Sequence, residues 1–430
     1  MGRNGRLNKS DGRLTHENSS KNGTYHNNNS SSSRKAGSKT KLVKQNLNLV
    51  TTASTNNKDS SSHELLDSVT KLQLQQTLLN IFKVAFASSL AADNLPEILH
   101  KIKDALFERD FNRAFGSPQY LETYAARWSP SRALCYHSLL IDLNTNLMAI
   151  DEGIVLPNSG HDEHSLSPLT FCKAKGSSLL QKFGEVVCFG GGAAEVVAFA
   201  GFLRYLKNDP CLQKIGHSQD KFDPLTIERN PIMLDARYSI RLIDCAQWQD
   251  VIHKLNDVLT SFPMTSMDKE TTKTETSSLF LNSSDIDISY VQEDILSMSL
   301  KKLINLTNEK QTFVTIFFTL NELCSSSVSK TTAFLLNLTL ALKSGSILLV
   351  VDSPGSYSET SIGSCNKKYP IFWLLDFILL NESTRISKDS SANWIKLITE
   401  KSKWFRLSDS LKYAIPLENM RYQIHLYQRL

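Results

Sequence analysis

The chain has little from which to build a membrane span, a disulfide framework or a metal centre. Its longest apolar stretches, Phe334–Leu342 and Ile371–Leu380, fall far short of the roughly 20 residues needed to cross a bilayer. The first thirty residues hold no apolar run of the secretory kind. Seven cysteines are scattered at 135, 172, 188, 211, 245, 324 and 365, with no Cys-x-x-Cys spacing and no histidine-rich surroundings. Odd, scattered cysteines fit a reducing compartment and exclude a metal site of ordinary spacing. The expectation is a soluble intracellular protein, in cytoplasm or nucleus, monomeric and without a membrane partner or bound metal.

Aromatic residues are nearly absent from the first part of the chain, where Tyr25 is the one such side chain in residues 1–62. The same stretch is rich in Asn and Ser and carries eleven Lys/Arg against three Asp/Glu, a net of +8. Such a segment buries too little apolar surface to offset its ordering entropy, so residues 1–62 are read as a disordered basic tail. The whole chain is +5, which leaves −3 for residues 63–430, with 37 Lys/Arg against 40 Asp/Glu. The positive charge therefore belongs to the tail, which points either to a polyanion partner or to an extension without a role.

Residues 63–175 read as a helical region. Leu65, Val69, Leu72, Leu79, Phe82, Phe86 and Leu90 keep a helical period, and Asn94 with Glu97 suggests a capping box. Ser117-Pro118 and Ser129-Pro130 suggest two further helix starts, giving four helices before residue 145 and a polar connection over 150–170.

From 176 to 430 strands and helices alternate. Candidate strands are Val186–Phe189, Tyr238–Asp244, Ser289–Val291, Phe313–Thr319, Ser346–Asp352, Trp404–Leu407 and Met420–Gln428. That alternation predicts an α/β fold, a Rossmann-like sheet of seven strands with helices on both faces. The polar–apolar alternation of 420–428 suits an edge strand or an antiparallel insertion. Polar stretches near 207–233 and 264–284 read as surface insertions.

The most informative segment is Val186-Val187-Cys188-Phe189-Gly190-Gly191-Gly192-Ala193-Ala194-Glu195. A strand runs into three glycines and then a helix. Glycine permits a sharp turn and a close ligand approach, and a helix start presents N–H groups. The unit fits a nucleotide-type cofactor in either a dinucleotide or an adenosyl-methionine fold; a tight turn without ligand gives the same string. In such sheets ligands lie beyond the carboxyl ends of the strands, so the residues there are the candidates. Asp244, with Cys245 beside it, ends the second strand and can accept from ribose hydroxyls, or simply cap the strand end. Asp294 follows the third and can accept from an adenine amino group while the Ile295 N–H meets a ring nitrogen, or cap the next helix. Asn321 and Glu322 follow the fourth and face the reacting end, where Glu322 is either a base or a loop carboxylate.

This order, with Gly190, Gly191, Gly192, Asp244, Cys245, Asp294 and Ile295 on the cofactor side, is that of a class I methyltransferase using S-adenosyl-L-methionine. Two features depart from its usual pattern. Cys188 stands where an acidic residue often precedes the glycines, and Asp244 lies 54 residues after Gly190, a distance the insertion at 207–233 accounts for. The strings Cys188-Phe189-Gly190-Gly191-Gly192-Ala193-Ala194-Glu195, Arg127-Trp128-Ser129-Pro130-Ser131-Arg132-Ala133-Leu134 and Thr319-Leu320-Asn321-Glu322-Leu323 together resemble the fungal 25S rRNA (uridine-N3)-methyltransferase family, over about residues 75–430.

The resemblance implies methyl transfer to N3 of a uridine in large-subunit ribosomal RNA, free or in a pre-ribosomal particle. Glu322 would then be the base and Asn321 a partner of the uracil edge. Arg127, Trp128 and Arg132 are the candidate substrate contacts, holding a phosphate, carboxylate or base; packing of Trp128 with solvated arginines is the structural alternative. Trp128, Tyr124 or Trp248 could stack on a flipped base. Two other readings stay open: a non-catalytic RNA-binding assembly factor, which Cys188 keeps alive, and a nicotinamide-dependent oxidoreductase on a similar sheet.

Overall fold

The computed structural model describes residues 58–151, 179–208, 237–263, 279–307, 310–354, 359–361, 368–380 and 393–430. Most of the expected tail over 1–62, of the polar connection over 150–170 and of the insertions at 207–233 and 264–284 lies outside them. Residues from Lys58 onward form one compact unit. Its first helix, α1 (Lys58–Ala85), begins inside the stretch assigned to the tail.

The helical region continues with α2 (Ala87–Leu90), α3 (Leu95–Phe107), α4 (Phe111–Ala114), α5 (Pro118–Arg127) and α6 (Ser129–Asp151), so short turns divide what the sequence suggested as four helices. Ser117 caps α5 as expected, accepting from the Tyr120 N–H at 3.2 Å. Asn94 does not cap α3 with its side chain, and Glu97 pairs with Lys101 one turn on, so the capping box is not formed.

After α7 (Leu179–Phe183) the chain builds its sheet. β1 (Glu185–Phe189) leads into α8 (Ala193–Asn208), and β2 (Tyr238–Asp244) into α9 (Gln249–Ser261). β3 (Ile286–Gln292), α10 (Leu300–Leu306), β4 (Phe313–Phe317), α11 (Leu320–Ala341) and β5 (Ile347–Asp352) follow. A small hairpin of β6 (Glu359–Ser361) and β7 (Lys368–Pro370) precedes α12 (Ile371–Leu379), and β8 (Trp394–Phe405) and β9 (Met420–Arg429) end the fold. The sheet order is β3-β2-β1-β4-β5-β9-β8. The first five strands are parallel, and β9 inserts antiparallel between β5 and β8.

Burial explains this order. β4 and β5 are buried at every residue, because helices cover both faces of a central parallel strand. One core joins α1, α3, α5, α6, α8 and α9 to one face; the other joins α10, α11 and α12 to the opposite face. Phe280 and Leu281, at the end of the stretch expected to be a surface insertion, are fully buried in the first core.

β9 is an insertion, not an edge, and Tyr422 to Gln428 are all buried. Its alternate polar residues face α12 rather than water, and each finds a partner. Gln423 donates to the Ser353 carbonyl at 2.9 Å, His425 bonds Thr399 at 2.9 Å, and the Tyr427 hydroxyl donates to Asp376 at 2.6 Å. β8 is the edge strand. It begins ten residues before the Trp404 start expected from sequence, because bulges at Lys396/Ile398 and Glu400/Lys403 break its alternation.

Asp376 also receives the Lys396 ammonium at 2.8 Å, with both side chains about one-fifth exposed (20% and 22%). Replacing Asp376 by Ala strands a buried phenol and an ammonium. The expected cost is about 2 kcal/mol, below that of a fully buried pair. Urea unfolding should show it as a lower midpoint with an unchanged slope; an unchanged midpoint would contradict the assignment.

Candidate active site

The sheet order reverses between β1 and β4, and a cleft opens there, beyond the strands' carboxyl ends. Its empty space comes to about 510 Å³, a figure that takes in the open mouth and the solvent there.

Its floor is the glycine turn. Gly190 has φ +73° and donates its N–H to the Ile243 carbonyl at 2.8 Å. A Cβ at this position would overlap the Thr319 side chain, so β1 and β4 can approach only with glycine here. Gly191 faces inward to Cys188 and Leu242, and Gly192 lies under the Trp248 ring, where a Cβ would stand 3.3 Å away. Across the cleft, Phe318 closes β4 with φ +51°, a left-handed conformation uncommon for a bulky residue. Its N–H donates to the Val351 carbonyl at 2.7 Å, and its ring stacks on Tyr136.

The charges are arranged around one cation. Arg132, in the first turn of α6, bonds the Tyr124 hydroxyl and lies over the Tyr124 and Phe318 rings at 5.4 and 5.6 Å. Glu195, Asp244 and Glu322 share the cleft with it, and among the described lining residues Arg132 is the one cation. Burial pushes all three carboxyls up, Glu195 to about 7, Asp244 to about 6 and Glu322 to about 8. Arg132 pulls Glu195 and Glu322 partly back.

Each carboxylate has a distinct setting. Glu195 folds back on its own helix start and accepts from the Gly192 N–H at 2.8 Å, so the amide expected to meet a ligand anion already has a partner. Asp244 Oδ1 accepts from the Ala246 N–H at 2.8 Å and the Trp248 indole at 3.3 Å. Glu322, on the first turn of α11, has no side-chain hydrogen bond among the described residues to offset its desolvation. Asp352, behind it, accepts from the Asn321 and Ser353 N–H groups at 2.9 and 2.7 Å and is itself pushed up to about 6 by burial. α11 breaks at Ser327, whose extended backbone (φ −166°, ψ 106°) separates the turn bearing Glu322 from the longer half.

Of the residues singled out in the sequence, Gly190, Gly192, Asp244, Glu322 and Arg132 line the cleft together. Asp294 does not: its two oxygens cap a single helical turn, accepting from the Leu296 N–H at 2.9 Å and the Ser297 hydroxyl at 2.6 Å. Ile295 is buried in the second core, and Cys245 is exposed beside Asp244. Asn321 sits next to the cleft with its Oδ1 buried and unpaired. Arg127 pairs with Glu418 and covers Trp128, whose ring packs on Tyr124 at 5.2 Å. Glu195, Tyr136, Phe318 and Asp352 were missed. Glu195 alone left a sequence signal, as an acid in the first turn after the glycines.

This cleft fits S-adenosyl-L-methionine, which carries a sulfonium and an ammonium against one carboxylate. Three raised carboxyls can ionise against a cationic ligand, a gain that an anionic pyrophosphate does not offer. The comparisons agree. A family model described as "Putative SAM-dependent methyltransferase" matches residues 82–428, and the chain belongs to that family. The chain is 28% identical over 360 residues to the 25S rRNA (uridine(2843)-N(3))-methyltransferase of Saccharomyces cerevisiae, covering 82% of this chain and 85% of that protein. A solved structure of human N-acetylserotonin methyltransferase in complex with SAM is 11% identical, with a TM-score of 0.23 over 77% of this chain and 66% of that one. At that score it carries no argument.

The raised carboxyls set a pH dependence. Glu322 sits at about 8 when folded against an ordinary 4.5, so the stability gained by keeping it neutral is full below about pH 4.5 and lost as pH rises through 8. Between pH 6.5 and 8.5 the ligand-free protein should lose stability on the order of 1 kcal/mol more than Glu322→Gln does. Urea titrations across that range measure the difference; parallel profiles would contradict the burial of an ionisable Glu322.

Proposed function

We propose that this protein methylates N3 of a uridine in large-subunit ribosomal RNA, with S-adenosyl-L-methionine as donor. The observation that carries the reading is Glu322, a partly buried carboxylate in the cofactor cleft whose pKa desolvation raises, where it can act as a base toward an imide N–H. The name of the yeast relative supplies the substrate class.

Bound in the cleft, S-adenosyl-L-methionine supplies an electrophilic methyl group. In this reading the turn Gly190-Gly191-Gly192 gives the backbone approach and Asp244 offers Oδ2 to ribose hydroxyls. Cys245, Asp294 and Ile295 stand on the adenine side; the cap made by Asp294 fixes the turn that presents the Ile295 N–H. Glu322 takes the N3 proton, and its raised pKa matches proton transfer at neutral pH. Asn321, with a free Oδ1, orients the uracil edge. Arg132 puts a positive charge near Glu195 and Glu322 and stands with Arg127 and Trp128 on the side the RNA crosses. A uridine enters only when unstacked, past an aromatic lining that includes Tyr124, Trp248 and Phe318. Cys188 is buried behind the turn, and Glu195 supplies the acid that its position lacks, so the cysteine gives no support to a non-catalytic factor.

The test is methylation of 25S rRNA by the purified protein, read as reverse-transcription stops at the N3-methylated base. At saturating cofactor, Glu322→Gln should slow single-turnover methylation by about 10²–10⁴-fold and remove the limb of the pH–rate profile that reports the base. Full activity in that variant would remove Glu322 as base.

A further inference from the structure

The last two strands carry a second feature at the same end of the sheet as the cleft. Trp404, near the carboxyl end of β8, is half exposed (50%) although it is among the largest apolar side chains of the fold. Arg421 of β9 stands directly opposite it, and Arg406 follows two residues on, on the same face. Their guanidinium carbons lie 5.2 Å (Arg406) and 5.9 Å (Arg421) from the indole centroid. Arg421 is further held by Ser402 at 2.8 Å. Neither arginine has a carboxylate partner among the described residues. An exposed indole flanked by two uncompensated guanidiniums contrasts with a chain that is −3 over residues 63–430.

The position relates to the cleft through the ladder. Asp352 at the end of β5 pairs with Gln423, two residues after Arg421 along β9. Trp404 therefore stands three strand spacings from β4, about 15 Å across the top of the sheet. That is a few nucleotides from a base seated beside Glu322.

We propose that Trp404, Arg406 and Arg421 form a docking surface for a single-stranded stretch of the substrate RNA flanking the target nucleotide. One base stacks on the indole and the two guanidiniums contact the phosphates on either side. This rests on the RNA-methyltransferase reading of the cleft. Stacking on an aromatic face with arginines along the backbone is the chemistry by which single strands are held without sequence readout. A duplex offers no free base face and gains only the charge contacts.

Full-length protein, titrated by anisotropy with a mixed-sequence single-stranded RNA of about a dozen nucleotides and with a blunt RNA duplex, tests this. Trp404→Ala should weaken single-strand binding about five- to a hundredfold, Trp404→Phe should retain most of it, and duplex binding should change little. Arg406→Ala with Arg421→Ala should flatten the log–log salt slope for single strands by about 1.4. Adenosyl-homocysteine affinity should be unchanged in every variant. Single-strand binding by Trp404→Ala equal to wild type overturns the proposal, as does a loss confined to the arginine variant, which marks a plain polyanion patch. Wild-type protein that methylates rRNA while both variants bind normally overturns the surface alone. Patch-dependent RNA binding without any rRNA methylation leaves the surface standing and overturns the reading of the cleft.

Discussion

Three carboxyls, Glu195, Asp244 and Glu322, share one cleft with a single guanidinium, that of Arg132, and their setting governs the site. Ionised together, Glu195, Asp244 and Glu322 would repel one another in a medium that screens poorly, so burial lifts each toward its neutral form. The cleft sets one guanidinium against three carboxyls. A ligand bringing a sulfonium and an ammonium favours their ionised forms, and a ligand bringing a pyrophosphate does not. The same arithmetic holds one carboxyl, Glu322, where it can take a proton near neutral pH.

The fold is what keeps these groups together. The order β3-β2-β1-β4-β5 puts the ends of β1, β2 and β4 around one opening, and Gly190 lets β1 and β4 close on each other against Thr319. Asp352, on the next strand, ties down the start of α11 through the Asn321 N–H, so the turn bearing Glu322 is fixed by a neighbouring strand and not by its own helix alone. Arg132 arrives from the helical layer, which makes that layer part of the site. Removing any of these supports would leave the carboxylates without their shared counter-charge.

Much of this was legible in the chain because it is written locally. A strand, three glycines and a helix read as a ligand turn, and the acids ending β2 and following β4 stood out by position. What escaped depends on contacts distant in sequence. Glu195 looks like an ordinary first-turn acid until its side chain is seen bonding Gly192. Asp352 ends a continuous apolar strand and shows nothing of the helix it holds. Asp294 offered two readings, and its carboxylate turned out to cap a turn, the role local chemistry favours for an aspartate before a short helix. β8 was caught only at its end, because two bulges and an exposed edge erase the period that marks a strand.

The central claim, that buried carboxyls select a cationic cofactor, is most directly tested by calorimetry with S-adenosyl-L-methionine at pH 7 in buffers of different protonation enthalpy. Binding should release protons, because Glu195 and Glu322, at about 7 and 8, ionise against the arriving charge. Nicotinamide dinucleotide should not bind. Binding of S-adenosyl-L-methionine without proton release, or comparable affinity for the dinucleotide, would contradict the account.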